Sequence, residues 1–189
     1  LLLFYIMLIP QLIDDSEVLL RFVFLDNFKK KVLSADRIAD QDVFLDTRLA
    51  GISLQRTLYS SFEFCKKLGK SISNKIFVGF IVFRKCDYLS ACDEYKEIRE
   101  HFCSILEFTP LDIEGLYLID RSNIDTEDDG NPSHSDIIYI NPALLPNEVK
   151  PNISLRIFSR ILYKRSKLII DENYEGDVCN FNSIESYFN

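Results

Sequence analysis

The chain contains two long apolar runs of the length expected for buried strands. Residues 18–25 read VLLRFVFL and residues 75–83 read KIFVGFIVF, and both runs are rich in valine and phenylalanine. Continuous apolar runs of this kind are typical of strands covered on both faces of a sheet. We therefore predict a central strand over 18–25 and a buried strand over 75–83, in which Gly79 marks a bulge or a close approach of another backbone.

Shorter segments also have the composition of strands. We predict short strands over 51–55 and 168–171, where apolar residues are flanked by turn-forming ones. The segments 115–120 and 137–140 read GLYLID and IIYI and flank an acidic stretch. This arrangement predicts a hairpin whose two strands are joined by a long loop.

Three segments place apolar residues at helical spacing. The first covers 57–68 and ends before a glycine, as helices often do. The second begins at Ser90 and ends before Thr109, and the third begins at Asn152 or Ser154. The predicted apolar faces are Leu58, Phe62, Cys65 and Leu68 in the first helix, Tyr95, Ile98, Phe102, Ile105 and Leu106 in the second, and Ile153, Ile157, Phe158, Ile161 and Leu162 in the third.

Together these elements indicate an α+β fold. We expect a mixed sheet of about five to six strands with about three helices packed on it. A length of 189 residues, 47% of them hydrophobic, fits one globular domain over 1–189 that folds without disulfides. The polar segment 172–189 is expected to pack loosely as a tail.

The cysteines indicate a reducing environment. There are five of them, an odd number, and no Cys-x-x-Cys pair occurs. Such a set is not a disulfide framework, so we expect free thiols and a cytoplasmic location. The leucine-rich segment 1–13 is interrupted by Pro10 and Gln11 and is too short to span a membrane. The single methionine, Met7, is the expected natural start.

The net charge of −7 is concentrated in one segment. Residues 111–136 carry eight acids and a single base, Arg121, and the rest of the chain is balanced. We therefore expect no general affinity for nucleic acid or for anionic membranes.

One part of that segment resembles the calcium loop of the EF-hand family. Asp125, Glu127, Asp129, Gly130 and Asp136 fall at positions 1, 3, 5, 6 and 12 of such a loop. The resemblance implies a calcium site, but the pattern lacks the bidentate glutamate at position 12, and its flanks are predicted strands. We expect a solvated acidic loop, with no metal and no cofactor.

A second metal pattern is weaker. Cys86, Cys92, His101 and Cys103 give a spacing that no standard zinc site uses. On a helix His101 and Cys103 would point apart, so we reject a zinc site.

Two features suggest catalysis. His134 and Asp136 lie two residues apart, so the imidazole could act as a general base with the carboxylate orienting it. The structural alternative is a hydrogen bond or a cap. Arg21 is a permanent charge inside an apolar strand. It needs a buried acid as partner, a solvated outer face on an edge strand, or a role in binding an anion.

A basic stripe is the main candidate for partner binding. Arg156, Arg160, Lys164 and Lys167 recur along one side of the predicted third helix. They could remain solvated, dock on an acidic surface of this or another chain, or contact a phosphate backbone. Binding of nucleic acid is the weakest of these hypotheses, because no cluster of aromatic residues accompanies the basic residues.

The sequence supports two functional hypotheses. The leading one is a small cytoplasmic interaction or accessory protein that binds a protein partner or itself within an assembly, through oppositely charged surfaces. The alternative is a small hydrolase or transferase for an anionic or nucleotide-like substrate, with Arg21 holding the anion and His134 and Asp136 carrying the chemistry. The two differ in whether Arg21 and His134 line the same pocket.

Overall fold

The structure is a computed structural model that describes residues 9–45, 50–100, 102–118, 130–140, 152–180, 184 and 188. Met7, His101 and residues 125–129 of the predicted calcium loop lie outside these residues. Among the helices of the described part, none has the length and apolar character needed to cross a membrane.

The centre of the fold is one six-stranded sheet, which confirms the α+β class. The strand order is β4-β5-β2-β1-β3-β6, and every pairing is antiparallel, whereas a mixed sheet was expected. The first predicted strand lies in the interior of the sheet, as its apolar sequence indicated. The strands are Val18–Phe24 (β1), Ile52–Arg56 (β2), Phe77–Arg84 (β3), Cys103–Phe108 (β4), His134–Ile140 (β5) and Lys167–Ile170 (β6).

Three helices cover the two faces of the sheet: Phe62–Ser71 (α1), Lys85–Ile98 (α2) and Asn152–Arg165 (α3). The helices α2 and α3 pack against each other on one face, here named the helix-pair face. Helix α1 packs on the opposite face, here named the α1 face, over β1 and β3. Short 3-10 turns, Leu25–Asn27, Lys29–Lys31 and Ala35–Arg37, follow β1.

Aromatic rings fill the core of the helix-pair face. Phe102 lies 4.6 Å from Tyr95 and 4.8 Å from Phe158 between ring centroids, and Tyr139 lies 5.9 Å from Phe158. These separations are those of favourable edge and tilted ring contacts. The rings join α2, α3 and β5 into one packed layer.

The first predicted helix starts later than its sequence pattern indicated. Ser61 caps α1, because its side chain accepts a hydrogen bond from the backbone N–H of Phe64 at 3.1 Å. Leu58 lies before the cap and is 70% exposed, so it is not part of the apolar face. Gly69 lies inside the helix, where a Cβ atom would sit 2.6 Å from the ring of Phe77.

The second predicted helix was wrong in its second half. The helix α2 ends at Ile98, and Cys103–Phe108 forms β4. In this segment exposed residues alternate with less exposed ones, which is the period of a strand. The spacing of Ile105 and Leu106 from the apolar residues before them is compatible with a helix. It does not exclude a strand, so the sequence pattern alone did not distinguish a helix from a strand here.

The predicted hairpin was also wrong. Strand β5 pairs with β2 and β4, and not with the segment 115–118. Within the described residues that segment makes one isolated bridge, between Tyr117 and Leu111. In the described part of the C-terminal segment, Tyr174 and Cys179 pack against the core of the α1 face and Ile184 is buried.

The prediction for Gly79 is confirmed. The pairing of β1 with β3 shifts by one residue between Val23 and Phe24, opposite Gly79, which marks a β-bulge. Strand β6 approaches so closely that a Cβ atom on Gly79 would lie 2.1 Å from the carbonyl oxygen of Ile169. No side chain fits at this distance.

We expect Gly79→Ala to destabilise the protein by roughly 3 kcal/mol, the upper end of the range for overpacking, because β6 must move away from β3. Gly115→Ala is the matched control. A Cβ atom there meets nothing within 4 Å, so only backbone strain at its φ of +81° remains, about 1 kcal/mol. Urea unfolding of both variants measures the difference, and equal losses would contradict the close-approach explanation.

Candidate functional site

A cluster of buried polar side chains lies on the α1 face where β5 begins. Nδ1 of His134 lies 2.7 Å from the carbonyl oxygen of Thr109 and 3.1 Å from its hydroxyl oxygen. That hydroxyl donates to Oδ2 of Asp136 at 2.9 Å, and the hydroxyl of Tyr117 donates to the same oxygen at 3.0 Å. The imidazole and the carboxylate lie 3.8 Å apart between Nδ1 and Oδ2, so Thr109 bridges them.

Burial sets the protonation state of this cluster. It lowers the pKa of His134, although the nearby charge of Asp136 acts in the opposite direction. Burial and the charge of Asp136 raise the pKa of Tyr117 to about 12. At neutral pH the imidazole is therefore neutral, and we assign its proton to Nδ1, which donates to Thr109. In this tautomer Nε2 retains its lone pair, which is what a general base requires.

Access to the cluster is limited. His134 is 5% exposed and Asp136 is 2% exposed. Neither residue lines the nearby cavity of about 390 Å³, which is formed by residues of α1 and of the segments 111–115 and 130–131. Among the described residues, Thr109 and the half-exposed Tyr117 hydrogen-bond these two groups.

Arg21 lies on the other face of the sheet. Arg21 is paired with Ile81, which faces the helix-pair side. Its neighbour Leu20 faces the α1 side and is paired with Gln55, and Gln55 is paired with His134. His134 therefore lies on the face opposite to Arg21. The guanidinium of Arg21 donates to the carbonyl oxygens of Val43 at 2.8 Å and Ser53 at 3.2 Å. The structure therefore does not bring Arg21 together with His134 and Asp136. A role for Arg21 in binding an anion by itself stays a prediction.

The basic stripe is partly used within the chain. Arg156 Nε lies 3.1 Å from Asp42, and Arg160 Nε lies 3.6 Å from Asp40. Lys164 is exposed on the next turn of α3. Lys167 belongs to β6, so the predicted continuation of the stripe along the helix was wrong at this residue. Two of the four bases thus hold the loop before residue 45 against α3.

A buried ion pair that the sequence reading missed lies on the helix-pair face. Arg56 and Glu17 are both buried and bind through two contacts, Nε to Oε1 at 2.6 Å and a terminal nitrogen to Oε2 at 2.8 Å. The guanidinium also donates to the carbonyl oxygen of Pro10 and lies between the rings of Tyr59 and Phe108, 4.8 and 5.0 Å from their centroids. It therefore fixes the segment before β1 to the sheet.

A second missed ion pair is buried on the α1 face. Nζ of Lys66, in α1, lies 2.7 Å from Oδ2 of Asp171, and both side chains are fully buried. The same ammonium donates to the carbonyl oxygens of Asn173 at 2.6 Å and Val178 at 2.9 Å. One turn later, Lys70 donates to Asp177 at 2.9 Å and to two neighbouring carbonyl oxygens. The two lysines hold the segment after β6 against α1, beside a cavity of about 580 Å³.

Part of this could have been found in the sequence. Ile52, Leu54 and Arg56 alternate along β2 and so must share one face, which the first two residues show to be buried. Lys66 follows Phe62 by four residues, which places it on the same side of α1. The partners Glu17 and Asp171 carry no comparable signal, because contacts between distant segments are not visible in local patterns.

The described residues include only part of the predicted calcium and zinc patterns. Asp125, Glu127 and Asp129 lie outside the described residues, and Asp136 is held by Thr109 and Tyr117. In the described part of the chain, no three histidine, cysteine or acidic side chains are arranged to hold a metal ion. All five cysteines are free thiols.

Within the described residues, the end of the sheet formed by β4 and β5 has a partly exposed surface. Five residues of β4 and β5 share the α1 face, because they alternate along each strand and are paired across the two strands. They are Cys103, Ile105 and Glu107 of β4 and Ile138 and Ile140 of β5. We name these five residues the open sheet end. Ile105 is 39% exposed and Ile140 is 40% exposed, since α1 covers the other half of the face. Exposed apolar side chains that are neighbours on a regular sheet form a contiguous patch, and such patches mark interaction sites when they are large enough.

Comparison with known proteins gives no assignment: no protein-family model, curated protein or solved structure matches the chain. Function must therefore be inferred from the geometry of the chain itself.

We expect Arg56→Met to destabilise the protein by about 3–5 kcal/mol, because it leaves the carboxylate of Glu17 buried without a partner. Arg84→Met is the matched control. Arg84 pairs with Asp87 at 3.1 Å, but its side chain is 41% exposed, so its removal should cost less than about 1 kcal/mol. Chemical denaturation distinguishes the two, and a similar loss in both variants would show that the buried pair adds nothing specific.

The lowered pKa of His134 predicts a pH dependence of stability. The unfolded chain takes up the proton near its ordinary pKa of about 6.5, whereas the folded state resists it. The stability due to the neutral imidazole is therefore complete above about pH 6.5 and is lost as the pH falls towards the lowered pKa.

His134→Gln removes this contribution and keeps Asp136, Glu107 and Tyr117. We expect wild type to lose stability relative to His134→Gln as the pH falls from about 8 to about 5, so that the difference in their unfolding free energies shrinks. Urea titrations at each pH provide the measurement. A difference that stays constant over this range would contradict the assignment.

Proposed function

We propose that the protein is a small, non-catalytic interaction domain that works within a cytoplasmic assembly by binding a segment of a partner protein at its open sheet end. The observation that carries the proposal is the exposure of Ile105 and Ile140, which are diagonal neighbours on the paired strands β4 and β5. The five free thiols support the cytoplasmic location.

The surrounding charge supports a basic partner. Glu107 lies on the open sheet end itself, and Asp112 and Glu114 lie in the segment that holds Tyr117 against Asp136. In the sequence, 111–136 carries eight acids and one base. The carboxylate of Glu107, two positions from Ile105 on the same face of β4, favours a segment that carries both apolar and basic residues, and such a contact weakens with salt.

The enzyme alternative has less support from the geometry. Its three residues do not meet, because Arg21 lies on the helix-pair face and His134 and Asp136 lie on the α1 face. The imidazole already hydrogen-bonds to Thr109, and the carboxylate already accepts hydrogen bonds from Thr109 and Tyr117. We therefore assign them a structural role, which is to hold the segment after β4 against β5.

The proposal is tested with two fluorescent peptides of about nine residues, in both of which every second residue is threonine. In the first, named the lysine peptide, the remaining positions are lysine and isoleucine. In the second, named the glutamate peptide, they are glutamate and isoleucine. We expect the lysine peptide to bind, with an affinity that falls as salt rises from about 0.05 M to about 0.5 M, and the glutamate peptide not to bind. Fluorescence anisotropy measures both.

The variants locate the binding surface. Ile105→Ser should weaken binding of the lysine peptide by at least about tenfold. Ile76→Ser is the matched control, because Ile76 is also exposed, at 56%. It should leave binding unchanged, because Ile76 precedes β3 in the other half of the sheet. Absence of binding at about 1 mM lysine peptide, or equal binding of the glutamate peptide, would overturn the proposal. Self-association that Ile105→Ser abolishes would identify a second copy as the occupant and overturn the basic partner.

A further inference from the structure

The backbone of β4 has a defined free edge. Thr109 continues the register of β4 and donates its N–H to the carbonyl oxygen of His134, on β5, at 3.1 Å. In an antiparallel pair, successive residues alternate between turning their N–H and C=O to the neighbouring strand and turning them away. Counting back from Thr109, Ile105 turns these groups to β5, whereas Ser104 and Leu106 turn theirs out of the sheet.

The described residues leave this edge uncovered. Strand β4 is the terminal strand of the sheet, and within the described ranges no other segment pairs with Ser104 or Leu106. The opposite edge, β6, is shorter, with four residues against six. Unpaired backbone groups on an edge strand form a template for another strand.

The free edge is also held rigidly. The hydroxyl of Ser104 lies 2.7 Å from the hydroxyl of Tyr88 and 3.4 Å from the sulfur of Cys92, both on α2. Leu106 packs against the core of the helix-pair face. Both side chains therefore fix the backbone whose N–H and C=O groups point outwards, which reduces the entropic cost of binding.

We propose that the partner segment binds as a seventh strand beside β4, hydrogen-bonded to the N–H and C=O groups of Ser104 and Leu106. This rests on the proposed function and specifies how the partner is held. Residues of the added strand that face the α1 side lie next to Ile105 and Glu107, so an apolar and a basic residue two positions apart fit there. Residues that face the other side lie on the side of α2, which contacts Ser104 through Tyr88 and Cys92.

Selective N-methylation of the lysine peptide tests this mode of binding. Methyl groups on one alternate set of amides remove the hydrogen bonds to β4, and methyl groups on the other set leave them intact. Strand addition predicts that one methylated peptide loses affinity by at least about tenfold and that the other keeps it. Binding through side chains alone predicts equal affinities, and that result would overturn the proposal.

Amide exchange of the full-length protein gives an independent measurement. With the lysine peptide bound, we expect the amides of Ser104 and Leu106 to exchange at least about tenfold more slowly. The amide of Ile105 already faces β5 and should change less. Binding without protection of Ser104 and Leu106 would overturn strand addition and leave the interaction function intact, whereas absence of any binding would overturn the function itself.

Discussion

The alternation of side chains across the antiparallel sheet determines which polar residues of this protein can meet. Neighbouring residues of a strand point to opposite faces, and residues paired across strands share a face. This rule separates Arg21 from His134 and leaves His134 and Asp136 together with Thr109 and Tyr117. The same rule directs the side chain of Ile105 into solvent and the backbone of Leu106 to the outer edge. The polar cluster and the free edge of β4 are both consequences of one register.

Each face of the sheet also contains one fully buried ion pair among the described residues. Arg56 with Glu17 and Lys66 with Asp171 each join segments far apart in the chain. Burying charges is costly, and the cost is offset here by additional hydrogen bonds to main-chain carbonyl oxygens. Such pairs specify how the segments outside the sheet must lie, because any other arrangement would leave a charge unpaired in the core.

Local sequence patterns predicted most of the elements but not the way they combine. The apolar runs at 18–25 and 75–83 identified β1 and β3, and Gly79 indicated the close approach of β6. The pattern failed at 103–108, where apolar residues fit two periods and only pairing with β5 selects the strand. It named Arg21 as the buried arginine and overlooked Arg56, although alternation with Ile52 and Leu54 predicted burial. The clustering of His134 with Thr109 depends on strand pairing between distant segments, which no local pattern encodes.

The three oxygens around the ammonium of Lys66 are of the kinds that hard metal ions prefer, a carboxylate and two main-chain carbonyls. Here the cation is a covalent part of α1. Its effective concentration at the site is therefore set by the fold and not by the ionic composition of the surroundings. A chelator cannot remove it. The segment after β6 thus has the cross-linking of a cation-bound loop without a requirement for any dissolved ion.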